Sequence, residues 1–199
     1  MLNAVSLTNF DTVRLREMVE EHGMEIVSNQ ISFSIVDTRP LDGGMAAFAA
    51  ARGIKLMCYG TLMGGLLSEK WHGRGPPTSR ADLPTASLGK YYQFLTAWGD
   101  WDLFQELLST LKAIGKRHGE DVTIANVAVR WVLQQQAVGA ALLGMRLGHT
   151  ASSHIDENKR TLQAGFELTA KDMQEIGAVQ AKGKRLLDSL GDCGGEYRR

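Results

Sequence analysis

The sequence lacks most of the features that would assign its class at a glance. It has two cysteines, Cys58 and Cys193, and five scattered histidines, so the spacing encodes neither a disulfide framework nor a metal site. It has no excess of either charge, because 22 Lys and Arg balance 22 Asp and Glu. That balance removes the field that draws a protein to nucleic acid or to an anionic membrane, and neither partner is expected. No run approaches the roughly 18 apolar residues of a membrane span, and MLNAVSLTNF lacks the basic start and apolar core of a secretory signal. The expectation is a cytoplasmic protein. Proline is scarce too, and three of the four prolines fall between Gly73 and Lys90. That polar stretch is expected to be a surface loop, and with Trp71, Tyr91, Tyr92 and Trp98 the segment to Asp100 reads as an aromatic-rich loop over a site.

What is present is a hydrophobic content of 44% in 199 residues, enough for the core of a single domain over residues 1–190. Short apolar runs alternate with helical periodicities. Ala4–Leu7, Glu25–Ser28 continuing towards Asp37, Ile54–Cys58 and Val138–Leu143 read as strands. Between them Asp11 opens a helix that runs to Gly23, Leu41–Arg52 is alanine-rich and helical, and Trp101–His118 ends at Gly119. Thr123 caps a helix with an apolar stripe at Ile124, Val127, Ala128, Trp131 and Val132. Ser153–Asp156 and Thr169–Asp172 both read as capping boxes. The tail GDCGGEYRR, residues 191–199, is expected to be disordered. Strands separated by helices imply a parallel α/β sheet, either an open doubly wound sheet or a barrel.

One stretch has its own chemistry. CYGTLMGGLLSEKW (58–71) breaks a buried strand into Gly60, Gly64 and Gly65, and glycines at a strand end allow either a tight turn or a close approach to the backbone.

In order along the chain, SLTNF (6–10), NQISFS (29–34), CYGTLMGGLLSEKW, HGEDVTIANVAVRWVLQQ (118–135) and GMRLGHTASSHIDENKRTL (144–162) resemble motifs of the aldo-keto reductases. The resemblance implies a parallel β/α half-barrel, the last four strands of a (β/α)8 barrel, with C-terminal helices. It also implies an NADP-dependent oxidoreductase acting on an aldehyde or ketone. By that resemblance Thr8, Asn9 and Gln30 would hold the nicotinamide carboxamide, and Tyr59 would stack on its ring. Backbone amides of Gly60, Thr61, Leu62, Gly64, Gly65 and Leu67 would face the pyrophosphate with Lys70 nearby. Arg146, Glu157 and Asn158 would hold the adenosine end, the arginine facing a 2′-phosphate. On the residues alone, Thr8 and Asn9 read equally as helix caps, Tyr59 as a half-buried strand tyrosine and the 156–158 charges as a solvated helix face. Gly60, Thr61 and Met63 stand where the family pattern often has Ser, Pro and Gly.

The resemblance also places the family's catalytic Asp, Tyr, Lys and His upstream of SLTNF, so no residue of this chain is assigned a catalytic role and the chain reads as truncated. Tyr91 and Tyr92 are expected to lack a lysine or histidine partner. A lone half-barrel is expected to expose two strand edges and an apolar inner face, which a second copy would cover by closing eight strands. The alternative is a catalytically inactive NADP-binding module or subunit.

Overall fold

Four apolar runs form β1 (Val5–Thr8), β2 (Ile26–Ser32), β3 (Lys55–Tyr59) and β4 (Val138–Ala141), one sheet in the order β1-β2-β3-β4 with every neighbouring pair parallel. The computed structural model describes residues 4–144, 151–162 and 166–197, with the backbone alone for 151–154. Helices α1 (Thr12–Arg16, running into a π-helical turn at Glu17–Glu21), α2 (Arg39–Asp42) and α3 (Met45–Ala51) connect the first three strands. Helices α4 (Ala86–Trp98), α5 (Trp101–His118) and α6 (Ile124–Leu133) lie between β3 and β4, and α7 (Ala151–Arg160), α8 (Ala170–Gln180) and α9 (Leu186–Leu190) follow. The arrangement is a parallel α/β sheet with helical connections, as the strand and helix periodicities imply.

The two faces of the sheet differ in chemistry. Leu7, Asn29, Ile31, Leu56 and Cys58 are buried against the helices, where Phe33 meets the edge of Trp131 at a ring separation of 5.7 Å. Strand alternation turns their neighbours the other way. Ser6, Ser28 and Lys55 are register partners on the open face, and so are Thr8, Gln30 and Met57. Every one of these six side chains is exposed or half-buried. The open face is therefore largely polar, not apolar as expected, because only the helix-facing side has to supply the core. Ser6 and Ser28 bond each other across it at 3.0 Å.

Four segments depart from the sequence reading. The expected aromatic loop contains α4, thirteen residues long, which Thr85 caps by accepting from the Leu88 amide. Its buried positions Leu88, Tyr91, Phe94, Leu95 and Trp98 have helical spacing, and the upstream prolines end before it begins. Leu41–Arg52 is two helices rather than one, because Gly44 takes φ +77° between them. Helix α7 begins at Ala151, so Ser153–Asp156 lies within it instead of capping it. The fourth departure, the C-terminal tail, is described with the site.

The second capping box forms as read, and it does more than start a helix. Thr169 and Asp172 cap each other at the start of α8, with Leu168 and Met173 flanking the cap. The same carboxylate accepts from Arg117 Nη2 at 2.5 Å and lies 2.8 Å from His118 Nε2, both in the last turn of α5. The Asp172 side chain is 2% exposed. Burial opposes its ionisation, but the Arg117, His118 and Thr169 hydrogen bonds outweigh it and hold the carboxyl well below the usual range.

Asp172→Asn is expected to lower the unfolding free energy by about 2 kcal/mol at neutral pH, measured by urea denaturation. A carboxyl whose pKa folding depresses contributes fully above its unfolded value, about 3.9, and its contribution fades as pH falls below that. The variant should therefore lose less stability than wild type between about pH 5 and about pH 3. Equal acid losses in the two proteins would show that the carboxylate contributes nothing by its charge.

Candidate functional site at the carboxyl ends of the strands

The residues assigned to the nicotinamide lie together where β1, β2 and β3 end. Thr8 and Gln30 are register partners, and the Asn9 amide donates to the Gln30 carbonyl at 2.9 Å. Asn9 takes φ +59°, a left-handed conformation that asparagine tolerates better than most residues. The turn aims its side chain across β2, and Tyr59 Oη donates to Asn9 Oδ1 at 2.7 Å. The capping reading of Thr8 and Asn9 does not hold, because the cap of α1 is Asp11, whose Oδ1 accepts from the Arg14 amide. Burial first, then the Tyr197 phenol and the Glu196 carboxylate, push the Tyr59 phenol well above its ordinary range.

The glycine-rich loop continues from Tyr59. Gly60, Met63, Gly64 and Gly65 all have positive φ, so the chain reverses there in a way few side chains would permit. At Gly60 an added Cβ would lie 2.4 Å from Tyr91 Oη, so helix α4 closes directly on the loop. Inside the loop the amides of Met63, Gly65, Leu66 and Leu67 are held by the carbonyls of Gly60, Leu62, Met63 and Leu62. The loop is thus built largely on its own hydrogen bonds. The Thr61 hydroxyl is buried and has no hydrogen-bond partner among the described residues. A buried hydroxyl left so is costly. That group, beside the positive-φ glycines, is the feature of this loop that fits the approach of a polar ligand. Lys70 is exposed, its ammonium 5.4 Å from the Trp71 ring centre.

The adenosine-end residues form a second group. Glu157 and Asn158 are half-buried on α7, the Glu157 carbonyl accepting from Asn126 Nδ2 at 2.7 Å. Asn158 borders a cavity of about 510 Å3 between α6, α7 and the edge strand β4, with Leu133, Ala140 and Leu162 among its walls. Arg146 lies outside the described residues. Among the described residues no three His, Cys, Asp or Glu side chains are grouped to hold a metal, and no helix is long and apolar enough to cross a membrane.

The sequence reading missed half of the mouth. Tyr91 and Tyr92 belong to α4, and Lys90 beside them bonds the Tyr197 phenol and lies over the rings of Tyr59, Tyr91 and Tyr197. The phenol that Lys90 bonds is thus that of Tyr197, and the Lys90 ammonium stands 5.5 Å from the centre of the Tyr91 ring. The tail read as disordered folds back through Cys193, fully buried, to Glu196 and Tyr197. Its anchor is Arg39, 0% exposed, which forks onto Asp37 and onto Glu196. The signal available in the sequence was the i, i+3, i+4 spacing of Leu88, Tyr91 and Tyr92. For the tail the only local cue was a cysteine among glycines.

Gly60→Ala is expected to destabilise the fold by about 2 kcal/mol, by calorimetry or denaturant titration, because the left-handed φ and the Tyr91 collision both oppose a methyl group. Tyr91→Ala in the same chain should restore only part of that loss, since the backbone strain remains. Full restoration would mean that strain at Gly60 is negligible.

Comparison with known proteins agrees with this geometry. The Aldo/keto reductase family pattern matches residues 1–181. The chain is 29% identical over 133 residues to flagellar radial spoke protein 5 of Chlamydomonas reinhardtii, covering 65% of this chain and 24% of that protein. It is 24% identical over 174 residues to a Saccharomyces cerevisiae protein named as a pyridoxal reductase, covering 81% of this chain and 48% of that one. In three dimensions it superposes on a glycerol dehydrogenase from Gluconobacter oxydans with a TM-score of 0.65 and 18% identity, over 90% of this chain and 49% of the other. The chain thus spans half or less of the length of the proteins it matches. A pattern that runs through all four strands, together with a sheet and helices that superpose on a solved relative, places the chain in the aldo/keto reductase family.

Proposed function

We propose that the chain binds a nicotinamide dinucleotide, NADP(H) by preference, at the carboxyl ends of β1 to β3. The process served would be the NADP-dependent reduction of an aldehyde or ketone, an oxidoreductase role in keeping with the family. The observation that carries the reading is the convergence of Thr8, Asn9, Gln30 and Tyr59 beside a loop whose buried Thr61 hydroxyl lacks a partner among the described residues. The Asn9 and Gln30 amides and the Thr8 hydroxyl offer both donors and acceptors to a carboxamide, and the Tyr59 ring offers a stacking face. The amides at Gly60, Thr61, Leu62 and Gly64 would take the pyrophosphate, with the Leu67 turn shaping the loop and Lys70 supplying charge. Gly65, with open space around it, lets the ligand approach the backbone. Arg146, Glu157 and Asn158 would hold the adenosine end. When bound, the cofactor supplies a hydride.

A second reading is favoured by the phenols themselves. Burial first, then the Tyr197 phenol and neighbouring carboxylates, hold both Tyr59 and Tyr91 well above the ordinary tyrosine range. A proton donor at neutral pH needs the opposite shift. The chain would then be a catalytically inactive dinucleotide-binding module or a subunit that works with a different chain, and a second copy meeting the edges of β1 and β4 would close the barrel without adding the missing chemistry.

Fluorescence titration with NADPH and NADH tests both readings. NADPH should bind the tighter of the two, Tyr59→Ala should weaken it about tenfold through loss of the stack, and Arg146→Ala should remove the preference for NADPH. Turnover of a carbonyl panel by the chain alone would reject the module reading. If neither dinucleotide binds wild type or Tyr197→Ala, the proposed site is wrong.

A further inference from the structure

We propose that the segment from Gly191 to Tyr197 is an autoinhibitory strap that closes the mouth of the strands and must leave before a dinucleotide enters. The inference rests on the cofactor site proposed above, since it concerns access to that site. Contacts at four residues, Asp192, Gly194, Glu196 and Tyr197, fasten the strap, and Cys193 is buried between them. Asp192 Oδ2 accepts from the Thr12 amide at 2.7 Å at the start of α1. Cys193 is sealed from solvent. Gly194, at φ +82°, runs so close to the end of β1 that a Cβ there would be 2.0 Å from the Asn9 carbonyl oxygen. Glu196 accepts from both terminal nitrogens of Arg39, at 3.2 and 3.1 Å.

The last contact blocks the site directly. The Tyr197 phenol lies 3.3 Å from the Tyr59 phenol and is bonded by Lys90, so the aromatic expected to stack on a nicotinamide is already engaged. Asn9 is engaged with it, because its side-chain oxygen accepts from the same Tyr59 hydroxyl. A dinucleotide that uses Tyr59 and Asn9 therefore competes with the strap, and its apparent affinity falls by the fraction of molecules in which the strap is open.

The strap is also built to come away. Its attachments are polar apart from Cys193, and Tyr197 is 51% exposed. A cavity of about 220 Å3 bordered by Phe94, Ser189, Leu190, Gly195 and Glu196 lies under it, so the fit is loose where α4 passes beneath. The strap begins after α9, whose closing residue Gly191 takes φ +73°, a swivel that no core packing fixes.

Cys193 reports the strap and Cys58 reports the core, since both thiols are buried, Cys58 within β3. The full chain is treated with a thiol-specific disulfide reagent with and without saturating NADPH, and the labelled positions are read by peptide mass spectrometry. NADPH should speed labelling of Cys193 about tenfold while Cys58 stays protected, and Glu196→Gln with Tyr197→Ala should label Cys193 quickly without NADPH and bind NADPH about tenfold more tightly. Binding of NADPH with Cys193 labelling unchanged or slower would overturn the strap and leave the cofactor site standing. An affinity unaltered in the double variant would overturn it likewise. Failure of both proteins to bind would remove the cofactor site and the strap together.

Discussion

A single buried guanidinium holds the mouth of this sheet together. Arg39 is fully enclosed, its Nε and Nη2 pair with the two oxygens of Asp37, its Nη1 and Nη2 reach Glu196, and its plane lies over the Phe94 ring. Removing such a charge from water costs several kcal/mol, and only full pairing of its donors offsets that. Burial favours the neutral form, yet the Asp37 and Glu196 contacts win, so Arg39 stays charged. Asp37 is fixed in turn by the Ser32 hydroxyl and by the Ser34 hydroxyl on its own amide. One side chain thus ties together the turn after β2, helix α4 through Phe94, and the tail through Glu196. Separating it from Asp37 would leave an ion stranded in a dry interior, whereas Glu196 can leave while Asp37 keeps the guanidinium paired.

The polar open face and the Arg39 centre answer different problems. A parallel sheet is ordinarily covered on both sides, and here the helices cover one side while serine, threonine, glutamine and lysine line much of the other. Hydrophobic burial therefore acts on one face only, which suffices because the helical layer is thick: α5 and α6 bury Phe104, Leu107, Leu111, Val127 and Trp131 behind the strands. The mouth has less apolar mass, Met63, Leu66, Leu67 and the α4 face at Leu88 and Tyr91. Directional contacts add to that packing, Tyr59 to Asn9, Glu196 to Arg39 and the carbonyl-held glycine loop. That division suits a scaffold that must be stiff with ends that can rearrange.

How much could be read from the sequence follows the same division. The strands and the long helices were legible because their order rests on local periodicity, as in the stripe from Ile124 to Val132 and the Thr169 to Asp172 cap. Thr8, Asn9, Gln30 and Tyr59 were legible as a set through motif order, and the sheet register explains why motifs so far apart in sequence converge. Helix α4 was hidden by the prolines before it, although Leu88, Tyr91 and Leu95 carry the period. The role of Arg39 was not legible, since its partner Glu196 is 157 residues away and nothing local distinguishes a buried arginine from a surface one. Glycine in the tail suggested freedom, whereas at Gly194 it serves close packing.

That close packing changes what kind of sequence variation the tail can bear. Chain ends usually drift freely, accepting substitutions and changes of length, because nothing leans on them. Here Gly194 is pressed on the Asn9 carbonyl and takes a conformation that side chains avoid, while Cys193 sits in the dry interior. In the closed arrangement residues 193 to 196 are thus fitted to the end of the first strand, and among descendants of this protein the two should be inherited as one unit.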